Sequence, residues 1–119
     1  MKFIENNPPR VYEVGASIKV EISDCGKLHL EPDEQVTFTT PEGGEYDVTR
    51  KDWGFYATPS LNSRLISYSL RGVLVKNRIN HYFVMLVEKG KEDLFEKYIS
   101  EEILTIVTWL DNEQDLNQI

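Results

Sequence analysis

The sequence predicts an α+β fold dominated by antiparallel β-structure, and three observations carry that expectation. Apolar and polar residues alternate with period two through most of the first fifty positions, broken at intervals by turn residues. Only one stretch, Lys91 to Glu102, carries a sustained apolar stripe at helical spacing. A β-branched run, Thr105 to Thr108, lies near the end of the chain.

From Ala16 to Ile22, Ile18, Val20 and Ile22 share one face, with Ser17, Lys19 and Glu21 on the other. Asp24-Cys25-Gly26 reads as a turn, after which Lys27 to Glu31 turns Leu28 and Leu30 inward. Pro32-Asp33-Glu34 breaks the chain, and Gln35 to Thr40 resumes with Val36 and Phe38 inward. Pro41-Glu42-Gly43-Gly44 is a second strong turn, and Glu45 to Thr49 is expected to bury Tyr46 and Val48. Trp53 to Ala57 is a dense aromatic strand candidate. Thr58-Pro59 has the chemistry of a helix start, with threonine as N-cap and proline at the first helical position. Leu61, Leu65 and Tyr68 then support one or two helical turns.

Leu70 to Lys76 and His81 to Glu88 read as a hairpin across Asn77-Arg78-Ile79-Asn80. Leu94, Phe95, Tyr98 and Ile99 form the stripe of the following helix, and Ile103 to Leu110 reads as a final buried strand. The expected order is therefore an N-terminal β-meander, closing as a sandwich or partial barrel, then short helix, β-hairpin, helix and final strand. Residues 1–119 are expected to form a single domain, with 1–9 and 112–119 as frayed tails.

Composition narrows the function classes. Hydrophobic residues at 40% and charged residues at 28% describe a globular chain rather than a disordered one. The longest apolar run, Tyr82 to Val87, is far short of the ~20 residues of a spanning helix. The N-terminus lacks the apolar core of a signal peptide, and the single Cys25 has no internal partner, so a reducing, cytoplasmic setting is expected. A net charge of −7 argues against nucleic acid as a partner. The charge is unevenly spread. Between Arg50 and Arg78 six basic residues face one acid, Asp52, for a net of +5, while the remainder sets seven against nineteen, for −12.

Recognisable catalytic motifs are absent: no Gly-x-Ser-x-Gly elbow, no phosphate-binding glycine loop, and no histidine beside Cys25. His29 and Glu31 lie two apart on a strand and could join His81 in a two-histidine, one-carboxylate metal site. The competing reading is that both histidines are ordinary surface residues near turns, and no cofactor is expected. The segment that stands out is Arg50 to Arg71. There Arg50, Arg64 and Arg71 could hold an anion, Trp53 and Tyr56 could stack on it, and Thr58 and Ser60 could donate hydrogen bonds beside a helix N-terminus. The competing reading makes the aromatics core and the arginines partners of the surplus acids.

Three functions follow as expectations. The first is a non-catalytic binding or accessory module for an anionic small molecule such as a nucleotide-sugar or acidic sugar. The second is a protein-interaction or homodimerising module, since arginines and aromatics also populate interfaces. The third is a sugar-modifying enzyme on a cupin-like β-barrel, working through His29, Glu31 or His81.

Overall fold

Strands in the first half of the chain divide between two antiparallel sheets. In the computed structural model, which describes residues 1–119, β1 (Lys2–Val14) pairs only with β2 (Val20–His29), while β3 (Gln35–Thr39), β4 (Glu45–Lys51) and β5 (Gly54–Ala57) form a three-stranded meander. The expected frayed tail at 1–9 is thus the start of a long strand. Its alternation is masked by Asn6-Asn7-Pro8-Pro9, where the ladder to β2 breaks its register between Glu5 and Arg10. Proline has no N–H to give, so this stretch cannot pair regularly. Nor is Asp24-Cys25-Gly26 a turn. It lies within β2 opposite that irregularity, and the reversal falls at Gly15 to Lys19 instead. Gly26 adopts φ +152, and a Cβ there would collide with the Ile4 carbonyl oxygen and the Phe3 ring.

The second half builds a sheet around β6 (Leu70–Lys76), flanked by β7 (Tyr82–Glu88) on one side and β8 (Thr105–Trp109) on the other. Both pairings are antiparallel, so the last strand does join the sheet of the hairpin. The short helix α1 (Arg64–Ser67) precedes this sheet, α2 (Glu92–Glu101) connects β7 to β8, and α3 (Glu113–Leu116) ends the chain. The expected C-terminal fray is therefore partly helical. Asn112 caps it, its side chain accepting a hydrogen bond from the Asp115 N–H at 3.1 Å.

The core sits on β6. Val73, Val75 and Val87 form a fully enclosed cluster against which Phe95 and Ile99 of α2, Met85, Leu104, Ile106 and Trp109 pack. Leu65 of α1 is wholly buried, and Gly72 lets the α1 segment approach, because a Cβ there would meet Leu61 at 3.0 Å. Only half of the stripe expected on α2 is used, since Leu94 and Tyr98 stay exposed. On β4 the expected faces are exchanged. Asp47 and Thr49 are the buried residues, while Tyr46 and Val48 are half-buried. Asp47 tolerates this because Thr37 and Thr58 both donate to its carboxylate, and Thr49 is bonded to Gln35.

Of the residues that the sequence turns inward on β2 and β3, Val20, Ile22, Leu28 and Phe38 are exposed, as is Ile18, and Val36 alone is half-buried. No residue of β1 or β2 is buried. The consequence is measurable. The accessible surface is 8428 Å², against about 6,600 Å² expected for a monomer of this mass. The radius of gyration is 16.0 Å, against about 13.5 Å for a compact domain of this length. No helix is long and apolar enough to cross a membrane.

Candidate functional site

The β4–β5 hairpin builds a surface on which three of the expected binding residues, Arg50, Trp53 and Tyr56, come together. Lys51 pairs with Gly54, leaving Asp52 and Trp53 as a two-residue loop, and Gly54 takes the positive φ of +144 that this tight reversal requires. Trp53 is 68% exposed at the tip and stacks on Tyr56, with ring centroids 6.2 Å apart and planes 26° from parallel. Arg50 reaches back across the sheet, its Nη1 donating to the Leu30 carbonyl at 3.0 Å. That bond ties the end of the β1–β2 arm to β4 and leaves the guanidinium without a carboxylate partner. Lys51 does have one: Asp33 lies 2.5 Å away and raises the lysine pKa. Between these elements lies an open hollow of about 640 Å³, lined by residues 28–31 from the arm side and 50–55 from the hairpin side.

His29 and Glu31 both border this hollow, whereas His81 belongs to the β6–β7 turn, its N–H held by the Asn77 side chain at 2.9 Å. No group of three or more His, Cys, Asp or Glu side chains is gathered where it could hold a metal ion.

The remaining expected binding residues lie elsewhere. Thr58 Oγ1 donates to Asp47 Oδ2 at 3.4 Å, and Arg64 Nη2 stands 3.8 Å from the same oxygen. Arg64 also donates to the Tyr68 hydroxyl at 2.9 Å, which is the chief reason its pKa rises. Helix α1 begins at Arg64, not after Thr58, and Ser60 caps the turn before it by accepting the Arg64 N–H at 3.0 Å. A helix of four residues carries little dipole, and this N–H is already taken. The helix-terminus anion site expected at Thr58 to Leu61 is therefore not formed.

Arg71 is the clearest departure from a ligand-holding role. Its Nε donates to Asp111 Oδ2 at 2.6 Å, Nη2 to Asp111 Oδ1 at 3.4 Å, and Nη1 to Glu92 Oε2 at 3.4 Å. The guanidinium carbon lies 3.9 Å from the Trp109 ring centroid. Asp111 above all raises the arginine's pKa, opposed by partial burial. This fork joins β6, the start of α2 and the end of β8, and all three of its nitrogens are bonded to carboxylates.

A second hollow, which sequence reading did not single out, lies between the β6–β7 turn and the end of α2. It encloses about 480 Å³, and Ile79, Phe83, Met85, Tyr98, Ile103 and Leu104 give it an apolar lining. Ile103 sits at φ +55, a left-handed conformation normally left to glycine at a helix end and costly for a β-branched residue. No sequence signal marks this position. The arm touches the same region, for the Ala16 N–H donates to Glu102 Oε2 at 2.8 Å.

Fold and surfaces together define a small α+β protein with antiparallel sheets, an open polar hollow, an apolar hollow and a two-stranded arm bonded to the body near both of its ends. No family model matches the chain, and no curated protein or solved structure matches it either.

Proposed function

We propose that the protein is a non-catalytic interaction module that works as a homo-oligomer, the open face of its two-stranded arm covered by a second copy of the chain. The observation that carries this reading is a surplus of accessible surface on a chain that leaves many large apolar side chains exposed, among them Val11, Tyr12, Val14, Ile18, Val20 and Ile22 of the arm. Accessible area exceeds that expected for a compact monomer by about 1,800 Å². A dimer that hid this area on both copies would bury about 3,600 Å², within the range of obligate homodimers.

The arm is built for such contact. Tyr12 pairs with Ile22 and Val14 with Val20 across the hairpin, so four apolar side chains share one face, all of them exposed. Residues 1–29 carry four basic and four acidic side chains, so this neutral arm can approach the acidic body of another copy without net repulsion. The arm's own chain holds it chiefly by polar contacts near its ends, Met1 to Glu34 and Ala16 to Glu102.

The test is the molar mass in solution, measured by light scattering behind a sizing column over a dilution series. Wild type should run as a dimer or larger at micromolar concentration. Ile22→Asp, which places a charge on the exposed arm face, should shift it to monomer with secondary structure unchanged. A wild-type monomer throughout the series would overturn the reading.

A further inference from the structure

We propose that the outer edge of β7 is a self-pairing site, at which two copies join antiparallel about a two-fold axis to make one six-stranded sheet, β8-β6-β7-β7-β6-β8. The proposal rests on the reading of the chain as a homo-oligomer, but it names a surface distinct from the arm.

Three observations lead to it. The N-terminal half of β7 is open to solvent away from β6: Tyr82 is 56% exposed, Phe83 45% and Val84 61%. Those residues alternate, so apolar surface is open on both faces of the same strand. The backbone of Tyr82 to Val87 pairs with β6 on its inner side, and no hydrogen bond leaves its outer side.

Exposed edges normally carry devices that prevent pairing: a lysine, a proline, a bulge or a very short strand. The stretch from Tyr82 to Val87 has none. It has no charge, proline or glycine, and its register with β6 is unbroken over seven residues. The opposite edge is different. β8 has five residues, two of them threonine, and its register with β6 slips between Leu74 and Val75. One edge is blunted and the other is left open.

The sequence of β7 is also complementary to itself. A two-fold axis normal to the sheet requires a residue to face its own copy, because side chains opposite one another share a face. Centring on Val84 sets Phe83 opposite Met85 and Tyr82 opposite Leu86. Every pair in the central five is apolar, and no like charges meet. An unrelated extended peptide could use the same edge. A second copy is favoured because each chain exposes the area that a stable dimer needs to bury, and because this strand meets itself without conflict. The apolar hollow with Phe83, Ile79 and Ile103 on its rim adjoins the edge, so the same contact would cover part of that surface.

The experiment uses the full chain in two forms. In a Cys25→Ser background, Val84→Cys should form a disulfide-linked dimer under mild oxidation, since directly opposed residues lie about 4.5–5.5 Å apart at Cα. Val107→Cys, on the blunted edge, should not. Separately, Val84→Lys should weaken dimerisation by at least about tenfold, as two ammonium groups would face each other. Its thermal stability as a monomer should be little changed, because the side chain is exposed. If Val84→Lys dimerises like wild type while Ile22→Asp does not, the edge proposal falls and the arm reading stands. If wild type is monomeric at every concentration, both fall. Equal crosslinking at positions 84 and 107 would also overturn the proposal, since random collision would then account for the disulfide.

Discussion

Replacing Arg71 with alanine should destabilise the fold itself, by an amount that can be worked from its contacts. The side chain is about three-quarters buried, at 26% relative exposure, and its principal partner Asp111 is at 13%. Charge-assisted hydrogen bonds of this kind contribute about 1.5–3 kcal/mol when one partner is removed. Stacking on Trp109 adds about 1 kcal/mol. Allowing for overlap between these terms, Arg71→Ala should cost about 3 kcal/mol, equivalent to a fall in Tm of about 12 °C for a chain of this length. Arg71→Lys should recover part of it, since an ammonium keeps the charge but not the planar fork. Scanning calorimetry or thermal unfolding by circular dichroism reads both. A fall of less than 2 °C for Arg71→Ala would refute the reasoning, because it would mean that the arginine is not integral to the join between β6, α2 and β8.

Two further outcomes are expected. Lowering pH should destabilise the fold through Glu88, held down in pKa by Thr40 and Lys91, Glu92, held down chiefly by backbone N–H groups at the start of α2, and Glu34, held down by the N-terminal ammonium. Because the folded-state values lie below the unfolded ones, their contribution is complete above about pH 4.5 and lost as pH falls through the folded values; Tm should be flat from pH 7 to 5 and drop below 4.5, less steeply in Glu88→Gln. Arg50 has no carboxylate partner and shares its hollow with exposed Trp53, so any anionic sugar or nucleotide-sugar bound there should raise Tm in wild type and not in Arg50→Ala, while Arg64→Ala should keep the shift. A ligand-induced shift that survives Arg50→Ala would place the anion elsewhere.

How much of this was legible depends on whether local chemistry or tertiary context decided each element. The β6–β7 hairpin, α2 and β8 appear where the periodicity puts them, within a residue or two, because propensity, turn residues and packing agree there. The β3–β4–β5 meander was also legible as strands. Its faces on β4 were not, since the buried Asp47 is met by hydroxyl donors from Thr37 and Thr58 and by the Arg64 guanidinium, none of them near it in sequence. Helix α1 was misplaced for a similar reason: Thr58 and Pro59 have start chemistry, but Thr58 is drawn to Asp47, and Ser60 takes over the capping. Of the binding residues, Arg50 and Trp53 meet across one hollow. Arg71 is occupied by acids that only the fold brings near, which alternation and spacing cannot reveal, while Arg64 is held by Tyr68 four residues on and stands beside Asp47.

The arm shows what an alternating pattern does and does not encode. Ile18, Val20 and Ile22 have the spacing of a buried face, and Val14 with Tyr12 completes it across the hairpin. Period-two alternation states that one face of a strand is to be kept from water; it does not state which chain covers it. Within one copy that face is open, as are both faces of the first half of β7. A chain of this size has enough apolar residues for a full monomeric core, yet only 11 of its 119 residues are buried, and the enclosed cluster is three valines. An isolated two-stranded hairpin is at best marginally stable in water. An arm whose strands pair in two runs, of four and five residue pairs, and leave Tyr12, Val14, Val20 and Ile22 open on one face therefore calls for a packing surface that its own body does not supply. A second copy supplies one of the right area, and it makes the same demand in return.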